Sequence, residues 1–213
     1  NLRSDLQCVA AIQGPLVANI KQNGEDDMGS NKRALDGSHA LEVATKIAQI
    51  LSEYGVRSQI CGSIRRECET VNDIDMVVAA PLRRAIEVMA KAMEDGKIAA
   101  VLVSNLENVT KTCDFVVEGG IQLNMYAAEE ENWGAMTLFL TGSKLFNILM
   151  RGEAKKQGYR LNQYGLWHGD DLIAGKTEEL IFLALGLEWV GPKERSMYGP
   201  PSQIERKVRK EVR

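Results

Sequence analysis

The chain has 213 residues, 45% apolar and 26% charged, enough for one large domain or two small ones and too apolar for wholesale disorder. No apolar run approaches the roughly 18 residues of a membrane span, and no charged-apolar-small leader opens the chain, which starts at Asn1. The net charge of −3 does not by itself suggest a nucleic-acid partner, but it is unevenly spread: residues 1–131 hold 13 basic and 20 acidic side chains, residues 132–213 hold 13 and 9.

That split reads as two modules with different electrostatic tasks. The four cysteines are far apart and form no Cys-x-x-Cys pair. A zinc site or a disulfide framework is therefore not expected, and reduced thiols in an intracellular protein are.

Residues 1–37 read as an extension and linker. Leu6 to Ile20 is interrupted by Gly14-Pro15, and Asn23 to Ser38 is rich in turn residues. From Ala40 the pattern is helical, with Leu41, Ala44, Ile47, Ala48, Leu51 and Tyr54 at three- and four-residue steps. Ser38 suits the N-cap region and Gly55 the stop. Val56 to Cys61 reads as a strand, and Asp73 to Ala79 as a second. Pro81 opens a helix to about Glu94, and Ala99 to Val103 suits a strand. Cys113–Val117 and Ile121–Tyr126 flank Glu118-Gly119-Gly120, a hairpin signal. Lys144 to Gln157 reads as a helix stopped by Gly158. Tyr159 to Trp167 reads as a strand and His168-Gly169-Asp170 as a turn. Leu172 and Ile173 continue a short strand. Thr177 caps a helix with Glu178 and Glu179 in its first turn, where the dipole favours acids. The tail from Ile204 is basic.

The chemistry concentrates in Gly62-Ser63, nine intervening residues, then Asp73-Ile74-Asp75. Side chains alternate along a strand, so Asp73 and Asp75 project on one side and Ile74, Met76 and Val78 on the other. Adjacent carboxylates repel unless a cation joins them, and hard oxygen ligands suit Mg²⁺ or Mn²⁺. Gly62 admits a phosphate close to backbone N–H groups, Ser63 adds a hydroxyl, and the Arg65 and Arg66 forks match phosphate oxygens. A phosphate cradle beside a two-metal carboxylate site is what nucleotidyl transfer needs.

Cys61-Gly62-Ser63-Ile64-Arg65-Arg66 through Asn72-Asp73-Ile74-Asp75 resembles the palm signature of family X DNA polymerases. Leu140 to Asn147 resembles their substrate-binding turn and helix, Gly158 to Leu166 their thumb strand, and Thr177 to Phe182 with Leu185-Gly186-Leu187 their late helix. The likeness runs over about residues 38–195 in the family's order, and is to the small type without an N-terminal lyase domain. It implies an α+β fold. A nucleotidyltransferase palm, a mixed sheet with helices on one face, would occupy 38–131. A small α/β thumb binding nucleotide and DNA would occupy 132–213. It also implies a monomer working on primer-template or gapped DNA and deoxynucleoside triphosphates, with two Mg²⁺ ions (or Mn²⁺) per site and no membrane.

Position by position, the resemblance implies that Asp73 and Asp75 bind both ions and that Ser63 and Arg66 contact the β and γ phosphates, Gly62 allowing close approach. Phe139 and Gly142 would line the sugar pocket; the family's aromatic pair is half kept, since Leu140 follows Phe139. Asn147 would reach the incoming base, and Arg151, four residues on and on the same helix face, the template-side minor groove. Lys144 and Lys155 would contact nucleic acid. The third catalytic carboxylate of the family falls on Asn124, which has the shape of an aspartate without the charge. It cannot neutralise the catalytic cation or accept a proton, so that ion is expected to bind weakly. Asn124 is either an introduced change that holds a substrate complex or a native residue in a slow or lapsed enzyme; the intactness of the other motifs favours the first.

The expected activity is templated addition of deoxynucleotides to a primer 3′-hydroxyl at short gaps during repair, with DNA binding that weakens steeply with salt. The alternatives are a non-catalytic DNA-binding relative and a template-independent nucleotidyltransferase. Asp114 lies on the wrong strand of the family pattern for a third ligand. His168 to Asp171 reads as a hairpin tip rather than a metal cluster, and Trp167 and Trp189 as packing rather than base-stacking platforms.

Overall fold

The structure, a computed structural model, describes residues 34–102 and 112–197. In chain order its elements are β1 (Leu35–Asp36), α1 (Gly37–Glu53), β2 (Ser58–Ile60), α2 (Gly62–Arg65), β3 (Thr70–Val71), β4 (Ile74–Val78), α3 (Leu82–Glu94), β5 (Ala100–Leu102), β6 (Thr112–Val117), β7 (Ile121–Ala127), α4 (Trp133–Thr141), α5 (Lys144–Lys156), β8 (Arg160–Asn162), β9 (Gly165–His168), β10 (Asp171–Ala174) and α6 (Glu178–Ala184). The extension before residue 34 and the basic tail lie outside the described residues. Two compact units result. One holds the described chain up to Ser58 and Glu69–Ala127; the other joins Gln59–Cys68 to the chain from Ala128 on. The sequence reading puts Gly62 to Arg66 in the first domain, whereas this turn packs within the second unit. Among the described residues no helix is long and apolar enough to cross a membrane.

In the first unit β4, β7, β6 and β5 lie side by side. β4 runs parallel to β7, and the β6–β7 hairpin and the β5–β6 pair are antiparallel, so the sheet is mixed. The hairpin turns at Glu118–Gly120, where Gly119 and Gly120 take positive φ. α3 lies against β6 and β7, and α1 against α3. The apolar stripe of α1 is Ala40, Val43, Ala44, Ile47, Ile50 and Leu51. Leu41, expected on that stripe, is 47% exposed; the buried face is turned by about one residue. The cap is Asp36 rather than Ser38, because its Oδ1 accepts from the Ser38 and His39 amides at 2.9 and 3.1 Å. The His39 and Ser38 bonds hold its carboxyl below the usual range.

In the second unit β8, β9 and β10 form an antiparallel meander. The single strand expected over Tyr159 to Trp167 is two strands. Asn162 Oδ1 accepts from the Tyr164 amide at 2.8 Å and folds the chain back. The His168–Asp171 segment is the next hairpin tip. Trp167 packs its ring against Arg160 and Trp189 against Arg195. The core joins Ala135, Leu138, Phe146, Met150, Leu161, Leu166, Ile181 and Phe182. Helix α4, which carries part of it, is absent from the sequence reading.

α4 is held to the start of α6 through Gly134. Its amide donates to Lys176 O at 3.0 Å, and a Cβ there would lie 2.2 Å from the Thr177 carbonyl carbon. Backbone cannot yield as a flexible side chain can. Gly134→Ala is therefore expected to destabilise the protein by roughly 1–3 kcal/mol or more, read as a lower urea midpoint at unchanged slope. A midpoint equal to that of the parent would show that the two segments can separate freely.

Candidate active site

The carboxylate cluster sits in the first unit. Ile74 and Met76 are fully buried, while Asp73 and Asp75 are part-exposed, the alternation expected of a strand with one packed face. Asp73 immediately precedes β4 and Asp75 lies within it. The parallel register sets Asp75 beside Asn124 on β7. Asn124 Nδ2 donates to Asp75 Oδ1 at 3.1 Å, and Gln122 Nε2 donates to Asn124 Oδ1 at 2.7 Å. Asp114, set aside as lying on the wrong strand, is directly opposite Asn124 in the β6–β7 register. In-register residues share a face, so Asp75, Asn124 and Asp114 form a row across three strands. Tyr126 reports their field: burial, then the charges of Asp75, Asp114 and Asp73, push its phenol up to about 12.

The residues expected to hold phosphate, sugar and base belong to the second unit. Gly62 opens α2 at φ 64, a conformation in which an L side chain is strained. Ser63 is half-buried, and its carbonyl accepts from the Cys68 amide at 3.1 Å. Arg65 is not a phosphate fork here. Its Nη1 and Nη2 donate to Glu178 Oε1 and Oε2 at 3.0 and 2.8 Å, and Nη1 also donates to Thr141 Oγ1 at 2.7 Å. Arg195, fully buried, donates from Nη1 to the same Glu178 Oε1 at 2.7 Å, stacks over Phe146 and gives its Nε to Val190 O. Arg66 donates to Thr141 O and, from Nε, to Ser196 Oγ at 3.2 Å. The turn is thus fastened to the end of α4 and to the segment near residue 195.

Beyond Thr141, Ser143 caps α5. Its Oγ accepts from the Phe146 amide and donates to Arg195 O. Gly142 is buried with φ 65, and a Cβ there would come within 3.4 Å of the Arg66 Nη1. One groove is lined by Phe139, Asn147, Arg151, Leu161 and Asn162, so the structure brings three of the expected nucleotide and DNA residues together. Asn147 is oriented by donating from Nδ2 to Phe139 O at 2.6 Å. Lys144 and Lys155 are exposed on α5. Asn162 was not singled out from the sequence; the Asn-x-x-Gly turn that places it is the signal that could have found it.

Asp73 and Asp75 offer hard anionic oxygens, which suit a divalent ion. Asn124 fits poorly: its nitrogen faces Asp75 and its oxygen already accepts from Gln122. Among the described residues no three His, Cys, Asp or Glu side chains are grouped as a metal site; Asp114 shares the face of Asp75 across Asn124, but only Asp73 and Asp75 are near neighbours along the chain.

A mixed sheet carrying adjacent carboxylates, followed by a small α/β unit, defines the polymerase β type of fold. The crystal structure of Leishmania infantum polymerase beta, a ternary P/T complex, superimposes with a TM-score of 0.62 over 84% of this chain and 87% of that one, at 17% identity. Residues 136–196 match the family model for the DNA polymerase beta thumb. The DNA polymerase/3′-5′ exonuclease PolX of Bacillus subtilis is 32% identical over 161 residues, 74% of this chain but only 28% of the bacterial protein. The Repair DNA polymerase X of African swine fever virus (Warthog isolate) is 29% identical over 161 residues, 73% of this chain and 89% of the viral one. The chain is a relative of the family X DNA polymerases.

Proposed function

We propose that this chain is a template-directed DNA polymerase of short-gap repair, slowed by Asn124. The primer 3′ oxygen bonds to the α-phosphorus of a deoxynucleoside triphosphate, the bond from that phosphorus toward the β-phosphate breaks, and pyrophosphate leaves while the hydroxyl proton passes to solvent. Divalent ions, Mg²⁺ or Mn²⁺, would neutralise charge on the reacting oxygens when bound. Asp73 and Asp75 would hold one firmly, and the ion that the third position serves would bind weakly. Gly62, Ser63 and the Arg66 donors not used by Thr141 and Ser196 take the phosphates. Phe139 and Gly142 face the sugar, Asn147 the base, and Arg151, Lys144 and Lys155 the DNA.

The observation that carries this reading is the register of Asp75 beside Asn124, with Asp73 one residue ahead of the strand, in a chain with a relative named as a repair polymerase. The test is single-nucleotide incorporation on primed and unprimed template, with Mg²⁺ and with Mn²⁺, by this chain and by Asn124→Asp. The aspartate is expected to raise the rate by at least about 100-fold, the size of one electrostatic contact that acts in the transition state. Equal rates would remove Asn124 from the account. DNA binding with no extension by either protein would favour a non-catalytic DNA-binding relative, the reading that the Asn124 bond to Asp75 supports.

A further inference from the structure

Gln122 stands two residues before Asn124 on β7 and has no part in the function proposed above. The Gln122–Asn124–Asp75 chain of hydrogen bonds has a direction fixed by chemistry. An ionised carboxylate only accepts, so the Asn124 nitrogen must be the atom that faces Asp75. The Asn124 oxygen is then turned toward Gln122, whose Nε2 meets it at 2.7 Å. That oxygen is the one atom of the amide a cation could use. Asn124 is 8% exposed and held between β4 and β6 by register, so its side chain has little room to choose another rotamer.

We infer that Gln122 is a positioning residue: with Asn124 set nitrogen-first by Asp75, it occupies the remaining Asn124 oxygen and so keeps the third position out of metal coordination. The Asn124 N–H supplies Asp75 with part of the positive charge that a second cation would bring. Gln122 thereby makes the sheet face a site for one ion rather than a damaged site for two. This rests on the reading of Asp73 and Asp75 as metal ligands.

The test is Mn²⁺ titration by calorimetry on the full chain, with four proteins: the parent, Gln122→Met, Asn124→Ala and the double variant. Methionine matches glutamine in length and lacks the donor. Losing that one bond leaves the Asn124 oxygen unoccupied and open to a cation, and Mn²⁺ is expected to bind about fivefold tighter, the scale of one net hydrogen bond. With Asn124→Ala there is no oxygen to free, so Gln122→Met should change nothing. This cycle separates positioning from general packing. Should Gln122→Met fail to fold by circular dichroism, Gln122→Leu takes its place in the cycle. Unchanged affinity in the presence of Asn124, or an equal shift in both backgrounds, overturns the role of Gln122. An Asp75→Asn control distinguishes the two failures: if the parent binds no Mn²⁺, or binds it as well after Asp75→Asn, the metal reading of the carboxylates falls and this inference with it.

Discussion

In the Asn124→Asp background, Asp75→Asn is expected to lower single-turnover nucleotide incorporation by at least about 100-fold, the size of one lost electrostatic contact that acts in the transition state. The exchange keeps the side-chain shape and removes the charge. Asp75 is the second residue of β4, and its backbone pairing with β7 is indifferent to the substitution. Its neighbours Ile74 and Met76 keep their buried positions. The melting temperature should therefore move little, which separates loss of chemistry from loss of fold. A second readout needs no substrate. The Tyr126 phenol is raised to about 12 first by burial and then by the charges of Asp75, Asp114 and Asp73. Removing the Asp75 charge lets tyrosinate form more easily, so an ultraviolet pH titration should place Tyr126 lower in Asp75→Asn. Full activity in that variant would sink the assignment of the carboxylates.

Glu178→Ala is expected to cost roughly 3–5 kcal/mol of stability, the range for removing one member of a buried ion pair. The Glu178 side chain is 4% exposed and Arg195 is 0% exposed, while Arg65 keeps a fifth of its surface. One carboxylate therefore answers two guanidinium groups. Without it, two like charges face each other, and Arg195, whose Nη2 has no hydrogen-bond partner among the described residues, loses its salt bridge. Acid should imitate the substitution. Burial alone would push the Glu178 carboxyl up, but the bonds from Arg65 and Arg195 outweigh it and hold it below the usual range. A carboxyl depressed in the folded state contributes its full stabilisation above the ordinary carboxylate range and loses it as pH falls through the lowered value. Urea midpoints of the parent should fall on acidification through that window more steeply than those of Glu178→Ala. Parallel pH profiles would remove Glu178 from the acid response.

The parts legible in the sequence share one property: a local period or a local signal carries them. Asp73-Ile74-Asp75 announces its own alternation, and the α1 stripe, the Glu118-Gly119-Gly120 turn and the Thr177 cap are read within a few residues of themselves. α4 escaped because it is apolar nearly all round; Trp133 through Leu138 and Thr141 are all buried, so no polar face marks the period. The β8–β9 turn escaped because Leu161, Tyr164 and Leu166 continue an apolar texture across it. Arg65 was matched to phosphate by residue type, and its partner Glu178 is 113 positions away, beyond any local pattern. Gln122 escaped for another reason. It looks like an ordinary solvent-side residue of a strand, and its meaning depends on which end of the Asn124 amide points toward Asp75.

The second unit is not continuous in sequence. Gln59–Cys68 contributes Arg65 and Arg66 to a body otherwise drawn from Ala128 onward, and the matched thumb segment begins later still, at residue 136. A fragment cut at Ala128 would look whole by homology yet would strand Glu178 and Arg195 without the first of their three members. During synthesis the ribosome releases Gln59–Cys68 well before its companions, so this short stretch must wait for them while the chain up to Ala127 is made. Attempts to excise the thumb for isolated biophysics should carry that decapeptide along, either tethered or added in trans.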